Sequence, residues 1–123
     1  MSYELEIRCE PNWLHVQVTG IQSIPTLMAI GKDCLKACAK HDYKKLLVDV
    51  QRMTGKLGDF EAFDIGSKEL GKVEGLRLVK TAVVELEENR DRFEFLNTVL
   101  HNRGFNIQIF SNAVDAERWL GES

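Results

Sequence analysis

The chain carries the run Leu46-Leu47-Val48-Asp49-Val50 between polar residues at Lys45 and Gln51. A short continuous apolar run with polar flanks suits a strand covered on both faces, the condition of a strand inside a parallel sheet. A parallel neighbour is reached only through a crossover, usually a helix. The run therefore calls for strands that alternate with helices, and the rest of the sequence supplies them.

Tyr3 to Cys9 alternates, with Tyr3, Leu5, Ile7 and Cys9 on one face and Glu4, Glu6 and Arg8 on the other. Period two marks a half-buried strand. Glu10-Pro11-Asn12 is a turn, and Trp13 to Thr19 reads as a second strand with Leu14, Val16 and Val18 on one face, ended by Gly20. Two alternating runs with a short connection predict a hairpin. Ser23 is placed to cap a helix with Pro25 in its first turn, running to about His41. After the central strand, Gln51 to Gly58 is a glycine-punctuated loop. Asp59 is expected to cap a second helix, with Phe60, Phe63 and Ser67 on one side, Ile65 and Leu70 widening the apolar contact, and Gly71 and Gly75 closing it. Leu76 to Leu86 is expected as a strand through Val79, Ala82, Val83 and Val84. Asp91 and Glu94 fit a capping box for a helix with Phe93, Leu96, Val99 and Leu100 inward, and Gly104 supplies its stop. Phe105 to Phe110 alternates as the last strand. Ser111 or Asn112 caps a final helix carrying Ala113, Ala116, Trp119 and Leu120. The order is ββαβαβαβα, an N-terminal β-hairpin followed by β-α repeats. It predicts an α/β fold with a mixed, mainly parallel sheet and flanking helices.

A length of 123 residues is that of one domain, residues 1–123, with short loops and no linker, repeat or low-complexity segment. Sixteen Lys and Arg against 19 Asp and Glu give a net charge of −3. That balance argues against non-specific nucleic-acid binding, which needs a basic surface. No apolar run approaches the roughly 18 residues of a membrane span, and the acidic start Met1-Ser2-Tyr3-Glu4-Leu5-Glu6 is unlike a secretory signal. Three cysteines are an odd number, which argues against a disulfide framework. The expectation is a cytoplasmic protein with reduced thiols.

Cys34, Cys38 and His41 fall at steps of four and three, so one helix face can present all three as metal ligands. Packing is the stronger reading. Ile24, Leu27, Gly31, Cys34, Leu35 and Cys38 form one stripe at helical spacing, and a zinc site usually wants four ligands. Cys9 shares a strand face with Leu5 and Ile7, so packing accounts for it as well. No metal and no cofactor is expected.

The order of elements, the central Leu46-Leu47-Val48-Asp49-Val50, the stretch from Phe95 through Arg103-Gly104 to Phe105-Asn106-Ile107-Gln108-Ile109-Phe110, and the closing Ala113 to Trp119-Leu120 together resemble the STAS superfamily (sulphate transporter and anti-sigma-factor antagonist). The likeness is to its small stand-alone bacterial branch, described as STAS/SEC14-like or SpoIIAA-like, and it covers nearly the whole chain. Its motifs are fold signatures more than marks of activity. The resemblance implies a SpoIIAA-like (STAS) fold and a regulatory or protein-interaction role without catalysis. Antagonists of that superfamily carry a phosphorylatable Ser in an Asp-Ser-Ser-Gly loop after the central strand. The matching loop here reads Arg52-Met53-Thr54-Gly55. The Asp-Ser-Ser part is absent, and Thr54 is the one hydroxyl in the right neighbourhood, which makes it the candidate phosphosite.

In open α/β sheets, ligands bind beyond the carboxyl ends of parallel strands. Three segments lie there: Gln51 to Gly58, Glu85 to Asp91, and Ser111 to Asn112. They nominate Arg52, Thr54, Gly55, Lys56, Glu87, Asn89 and Ser111 as ligand-binding candidates. The first segment is not a Walker A loop, and Asp59 and Glu61 would repel a phosphate there. Glu85, Glu87, Glu88 and Asp91 can act as paired carboxylates or hold a hard cation, against a solvated, dipole-matched reading that is commoner. No nucleophile with a paired base is evident, so no catalytic residue is assigned. Three functions follow. The first is a protein-interaction or self-associating module, the first strand offering an edge for a homodimer. The second is a carrier of a small apolar or lipid-like ligand, motivated by the SEC14-like likeness and by Phe60, Phe63, Phe93 and Phe95 on the flanking helices. The third is a metal-dependent enzyme using the acidic strand ends.

Overall fold

The fold is that of a computed structural model, of which residues 3–55 and 57–122 are described, Asp59 by its backbone alone. Five strands form one sheet in chain order: β1 (Tyr3–Cys9), β2 (Leu14–Ile21), β3 (Lys45–Thr54), β4 (Lys80–Val84) and β5 (Ile107–Phe110). β1 and β2 are antiparallel, with Leu5 opposite Val18 and Ile7 opposite Val16. The pairs β2–β3, β3–β4 and β4–β5 are all parallel. Four helices complete the chain: α1 (Ile24–His41), α2 (Asp59–Asp64), α3 (Arg90–Asn102) and α4 (Ala113–Gly121).

Each parallel step moves to the next strand in the same direction, so crossovers of one hand put their helices on one face. Alternation along the strands sorts the core accordingly. Leu14, Val16, Val18, Leu46, Val48 and Val50 face α1 and its Ile30, Cys34 and Cys38. Leu47, Ala82 and Val84 point the other way and pack on Ala116 and Leu120 of α4. A third cluster joins Val73, Leu76, Leu100, Phe105 and Ile107 at the α3 end of the helix-bearing face. One face thus carries α1, α2 and α3, and the other carries α4 alone.

Several caps match their sequence signals. Ser23 Oγ accepts from Thr26 N at 3.2 Å, and Asn112 Oδ1 accepts from Asp115 N at 2.8 Å. Gly104 has φ 81°, the left-handed stop expected of it. Other boundaries differ. Gly58, not Asp59, holds the cap position of α2, where Glu61 Oε1 accepts from Gly58 N at 3.0 Å. The expected long second helix lasts only to Asp64, then widens to a π turn over Ile65–Glu69 and tightens to a 3-10 turn over Leu70–Lys72. Its inward face also differs from the expected stripe: Ala62, Ile65 and Gly66 are buried while Phe60 and Phe63 are exposed. Leu76–Leu78 is a 3-10 turn, and β4 starts only at Lys80. α3 begins at Arg90 behind Asn89, so Asp91 lies in its first turn instead of capping it. β2 runs through Gly20 to Ile21, with a register shift after Gln17. Cys9 shares its face with Leu5 as expected, but it is exposed, as is Ile7 between them.

Two polar ties fix the edges. Asn97 of α3 donates from Nδ2 to Ile109 O at 3.1 Å and accepts from Ile109 N at 2.8 Å, so a side chain occupies the free edge of β5. On the α4 face, Lys45 and Lys80 are register partners. Lys45 Nζ donates to Leu120 O, and Lys80 Nζ to Trp119 O and Glu122 O, each at 2.6 Å. The two ammonium groups satisfy carbonyls that the end of a helix leaves unpaired.

Candidate functional site

The helix-bearing face does not close on the sheet. A cavity of about 180 Å³ lies between β3–β5 and the helices. Val48, Val50 and Val83 form its floor, Leu27 and Ile30 of α1 one wall, and Phe93 and Leu96 of α3 another. Ala62 and Ile65 close it from the α2 side. Voids larger than a water molecule are few in native cores, and this one exceeds the roughly 150 Å³ apolar cavity that stays dry and admits benzene. Two local features keep it open. Gly31 lies in the middle of α1, and a Cβ built there would meet no atom within 4 Å. Gly66 does the reverse on the far side. A Cβ there would come within 2.7 Å of Leu96 Cδ1 and 2.9 Å of Val99 Cγ1, so the π turn rests directly on α3.

The polar part of the lining is small. Gln22, Glu85, Asn89 and Arg92 border the cavity where β2 and β4 end and α3 begins. Gln22 Nε2 donates to Glu85 Oε2 at 3.1 Å, a bridge that passes over the end of β3. Glu85 Oε1 also accepts from Leu86 N at 2.8 Å. Thr81 is the remaining polar side chain, buried at the start of β4, with its hydroxyl 3.4 Å from Val79 O.

The residues nominated from sequence are spread over this carboxyl edge. Asn89 borders the cavity. Glu87 and Ser111 instead share Arg90 on the surface: Arg90 Nη2 donates to Glu87 Oε1 at 2.6 Å and to Ser111 Oγ at 3.0 Å, and Nη1 donates to Glu94 at 3.0 Å. The hydrogen bond from Arg90 holds the Glu87 carboxyl below the usual carboxylate range. Arg52 and Thr54 are exposed on the last residues of β3, and Thr54 Oγ1 lies 3.4 Å from Gly20 O. Gly55 has φ 71° in the turn that follows. Lys56 lies outside the described residues. Of the four phenylalanines, only Phe93 enters the cavity wall. Phe60 is 87% exposed, and Phe63 and Phe95 stack on the outside with ring centroids 6.2 Å apart. Gln22 and Arg92 carried no sequence signal of their own. Gly31 did carry one, a glycine inside an apolar helical stripe, which costs helix stability unless the space is used.

Burial pushes the Cys34 thiol up to about 12 and the Cys38 thiol up to about 11, so both stay protonated and apolar in character. Their neighbour His41 is exposed at the end of α1. Among the described residues, no group of three His, Cys, Asp or Glu side chains is placed to hold a metal ion. No helix among them is long and apolar enough to cross a membrane.

No protein-family model matches the chain, and no curated protein does. Solved structures do. An anti-sigma factor antagonist from Mycobacterium paratuberculosis superposes with a TM-score of 0.59 at 16% identity, over 97% of this chain and 94% of that one. An uncharacterised protein of the DUF3478 family with a SpoIIAA-like fold, from Shewanella loihica PV-4, superposes with a TM-score of 0.52 at 16% identity, over 97% and 93%. At that identity the likeness speaks for the fold. An opening hairpin, three parallel steps and a closing helix on the opposite face, together with a superposition over nearly the full length of both neighbours, make this chain an α/β protein of SpoIIAA-like fold.

Proposed function

We propose that the chain is a non-enzymatic binding module that takes a small apolar ligand into the cavity between the sheet and α1–α3. The cavity itself carries the reading. At roughly 24 cal/mol per Å³ an enclosed void of this size would forgo up to about 4 kcal/mol, and the partly open apolar cavity of 180 Å³ forgoes a part of that. Even a part counts against the ~5–15 kcal/mol by which domains are stable. A ligand that fills the space returns the lost contacts. Gly31 supports the same reading, because the simplest repair, a Cβ at that position, would meet no atom within 4 Å. Native mass spectrometry after gentle purification tests it. A co-purified mass, or a mass adduct after exposure to toluene, is expected; a bare chain under both conditions contradicts it.

A second reading is a regulatory protein-interaction module. It draws on the fold likeness to an anti-sigma factor antagonist and on the outward aromatics Phe60, Phe63 and Phe95. Thr54, exposed after the central strand, would be its modification point. Phosphorylation of the purified chain by a native lysate, lost in Thr54→Val, would favour this reading. A specific partner that is retained when Phe60 and Phe63 are both changed to Ser would argue against the aromatic surface. The metal-enzyme reading receives no support from geometry, because Glu85 is tied to Gln22 and Glu87 to Arg90.

A further inference from the structure

Resting on the cavity reading above, we infer that the ligand is a compact, uncharged, ring-sized molecule with one hydrogen-bonding group, seated with that group against the Gln22–Glu85 bridge and Asn89. Size comes first. About 180 Å³ is little more than the roughly 150 Å³ that admits a benzene ring. A single ring with a small substituent matches this volume better than a long acyl chain does.

Polarity follows from the distribution of the lining. The floor and walls are aliphatic or aromatic, and four of the five polar side chains collect at one end. Glu85 follows β4, Gln22 follows β2, and their 3.1 Å hydrogen bond sets a polar bar across that end. Asn89 and Arg92 stand one helical turn apart at the start of α3 on the same border. The Asn89 side chain makes no hydrogen bond among the described residues, so it has both a donor and an acceptor to offer. The fifth polar group, Thr81, lies four residues from Glu85 on the same strand face, about 13 Å away, too far for one small head group to reach both.

Charge decides the class. Among the described lining residues this end holds one carboxylate, Glu85, and one guanidinium, Arg92. Glu85 is already bonded to Gln22 and to Leu86 N, and a charged head that approaches one of the two charges meets the other as a like charge, in surroundings where an unpaired charge is costly. A hydroxyl or a carbonyl escapes both penalties and pairs with an amide. A site built with polar groups also discriminates against an analogue that leaves them unpaired.

Calorimetric titration of the full chain with toluene, phenol, benzoate, benzylammonium and dodecanoate tests this. Phenol is expected to bind about fivefold or more tighter than toluene, the size of one net hydrogen bond, with the three charged probes weaker than either. Asn89→Leu and Gln22→Leu should each bring the phenol-to-toluene ratio towards one, with folding checked by circular dichroism. Asn89→Leu leaves the Gln22–Glu85 bridge intact, so it decides the matter if Gln22→Leu fails to fold. Equal binding of phenol and toluene overturns the head-group inference and leaves the cavity reading standing. Tightest binding by benzoate or benzylammonium overturns the uncharged class, and tightest binding by dodecanoate overturns the ring size. Loss of the preference in Thr81→Val with retention in Asn89→Leu puts the head group at the wrong end and overturns the assignment. If no probe binds, the cavity reading falls with it.

Discussion

Replacing Gly31 by alanine should stabilise the protein, which is the opposite of what most substitutions in a packed layer do. Gly31 is a mid-helix residue of α1, seven residues after Ile24 and ten before His41. Its φ is not in the left-handed region, so alanine needs no backbone change. Glycine in a helix interior costs about 1 kcal/mol relative to alanine. In a filled core that gain would be cancelled by the clash of the new methyl, but here the Cβ meets no atom within 4 Å. The methyl also removes some apolar surface from the cavity, at most ~0.8 kcal/mol for full burial. The expected gain is therefore roughly 1–2 kcal/mol. At about 2.1 cal/mol/K of unfolding entropy per residue, a chain of 123 residues moves ~4 °C per kcal/mol. A rise in Tm of ~4–8 °C is the readout, by calorimetry on ligand-free protein. Gly31→Leu carries the logic further: its side chain enters the cavity, so the variant should stay folded and lose toluene binding. A lower Tm for Gly31→Ala, or unchanged toluene binding by Gly31→Leu, would refute the claim that the space beside α1 is open and belongs to the ligand.

Gly66→Ala should do the reverse and destabilise by ~1–3 kcal/mol, because its methyl is driven against Leu96 and Val99; a neutral thermal melt would mean that α2 and α3 can part without cost. Asn97→Ala should cost about 2 kcal/mol by freeing both backbone groups of Ile109. Light scattering should then report association through the uncovered β5 edge, and monodisperse protein with an unshifted melt would count against that role. The His15 imidazole titrates below 6.5, because burial disfavours its charged form and Arg8 adds to this. The unfolded chain then takes up this proton first as pH falls, so stability drops between pH 6.5 and the folded value and is flat below it. Proton NMR should find that low pKa and see it rise in Arg8→Gln, whereas a value at or above 6.5 would contradict the packing. The Tyr3 hydroxyl, which donates to Asp33 Oδ2 at 2.5 Å, is held up to about 12; an ultraviolet titration that releases it near 10, unchanged in Asp33→Asn, would remove that tie between β1 and α1.

How much of this was legible in the sequence divides along a physical line. The unbroken run at Leu46–Val50 and the caps at Ser23, Gly104 and Asn112 are local signals, and the structure keeps them; the period-two run Tyr3–Cys9 keeps its strand but is half-buried only at Tyr3 and Leu5, with Ile7 and Cys9 exposed. Local rules failed in the second helix. The stripe Phe60–Phe63–Ser67 is not the buried one: Ala62, Ile65 and Gly66 turn inward in its place, and the α-helix gives way to a π turn at Ile65. Cys9 keeps its face but lacks cover, because alternation in β1 sets which way a side chain points and not what lies above it. The cavity was the least legible feature. It is a difference between the volume that three helices and a sheet enclose and the volume their side chains fill, and no single segment carries that difference. The carboxyl-edge rule pointed to the end of the sheet where the cavity's described polar residues gather, Glu85 and Asn89 among them, while Arg52, Thr54, Glu87 and Ser111 lie towards the surface.

The most direct test of the cavity as a binding site reads one side chain that lines it against one that does not. Met28 borders the cavity, whereas Met53 is buried on β3 outside it. In a methyl-carbon NMR spectrum of the protein titrated with toluene, assigned with Met28→Leu, the Met28 methyl should shift saturably while the Met53 methyl moves far less. No shift at Met28, or equal and unsaturated shifts at both, would contradict the account.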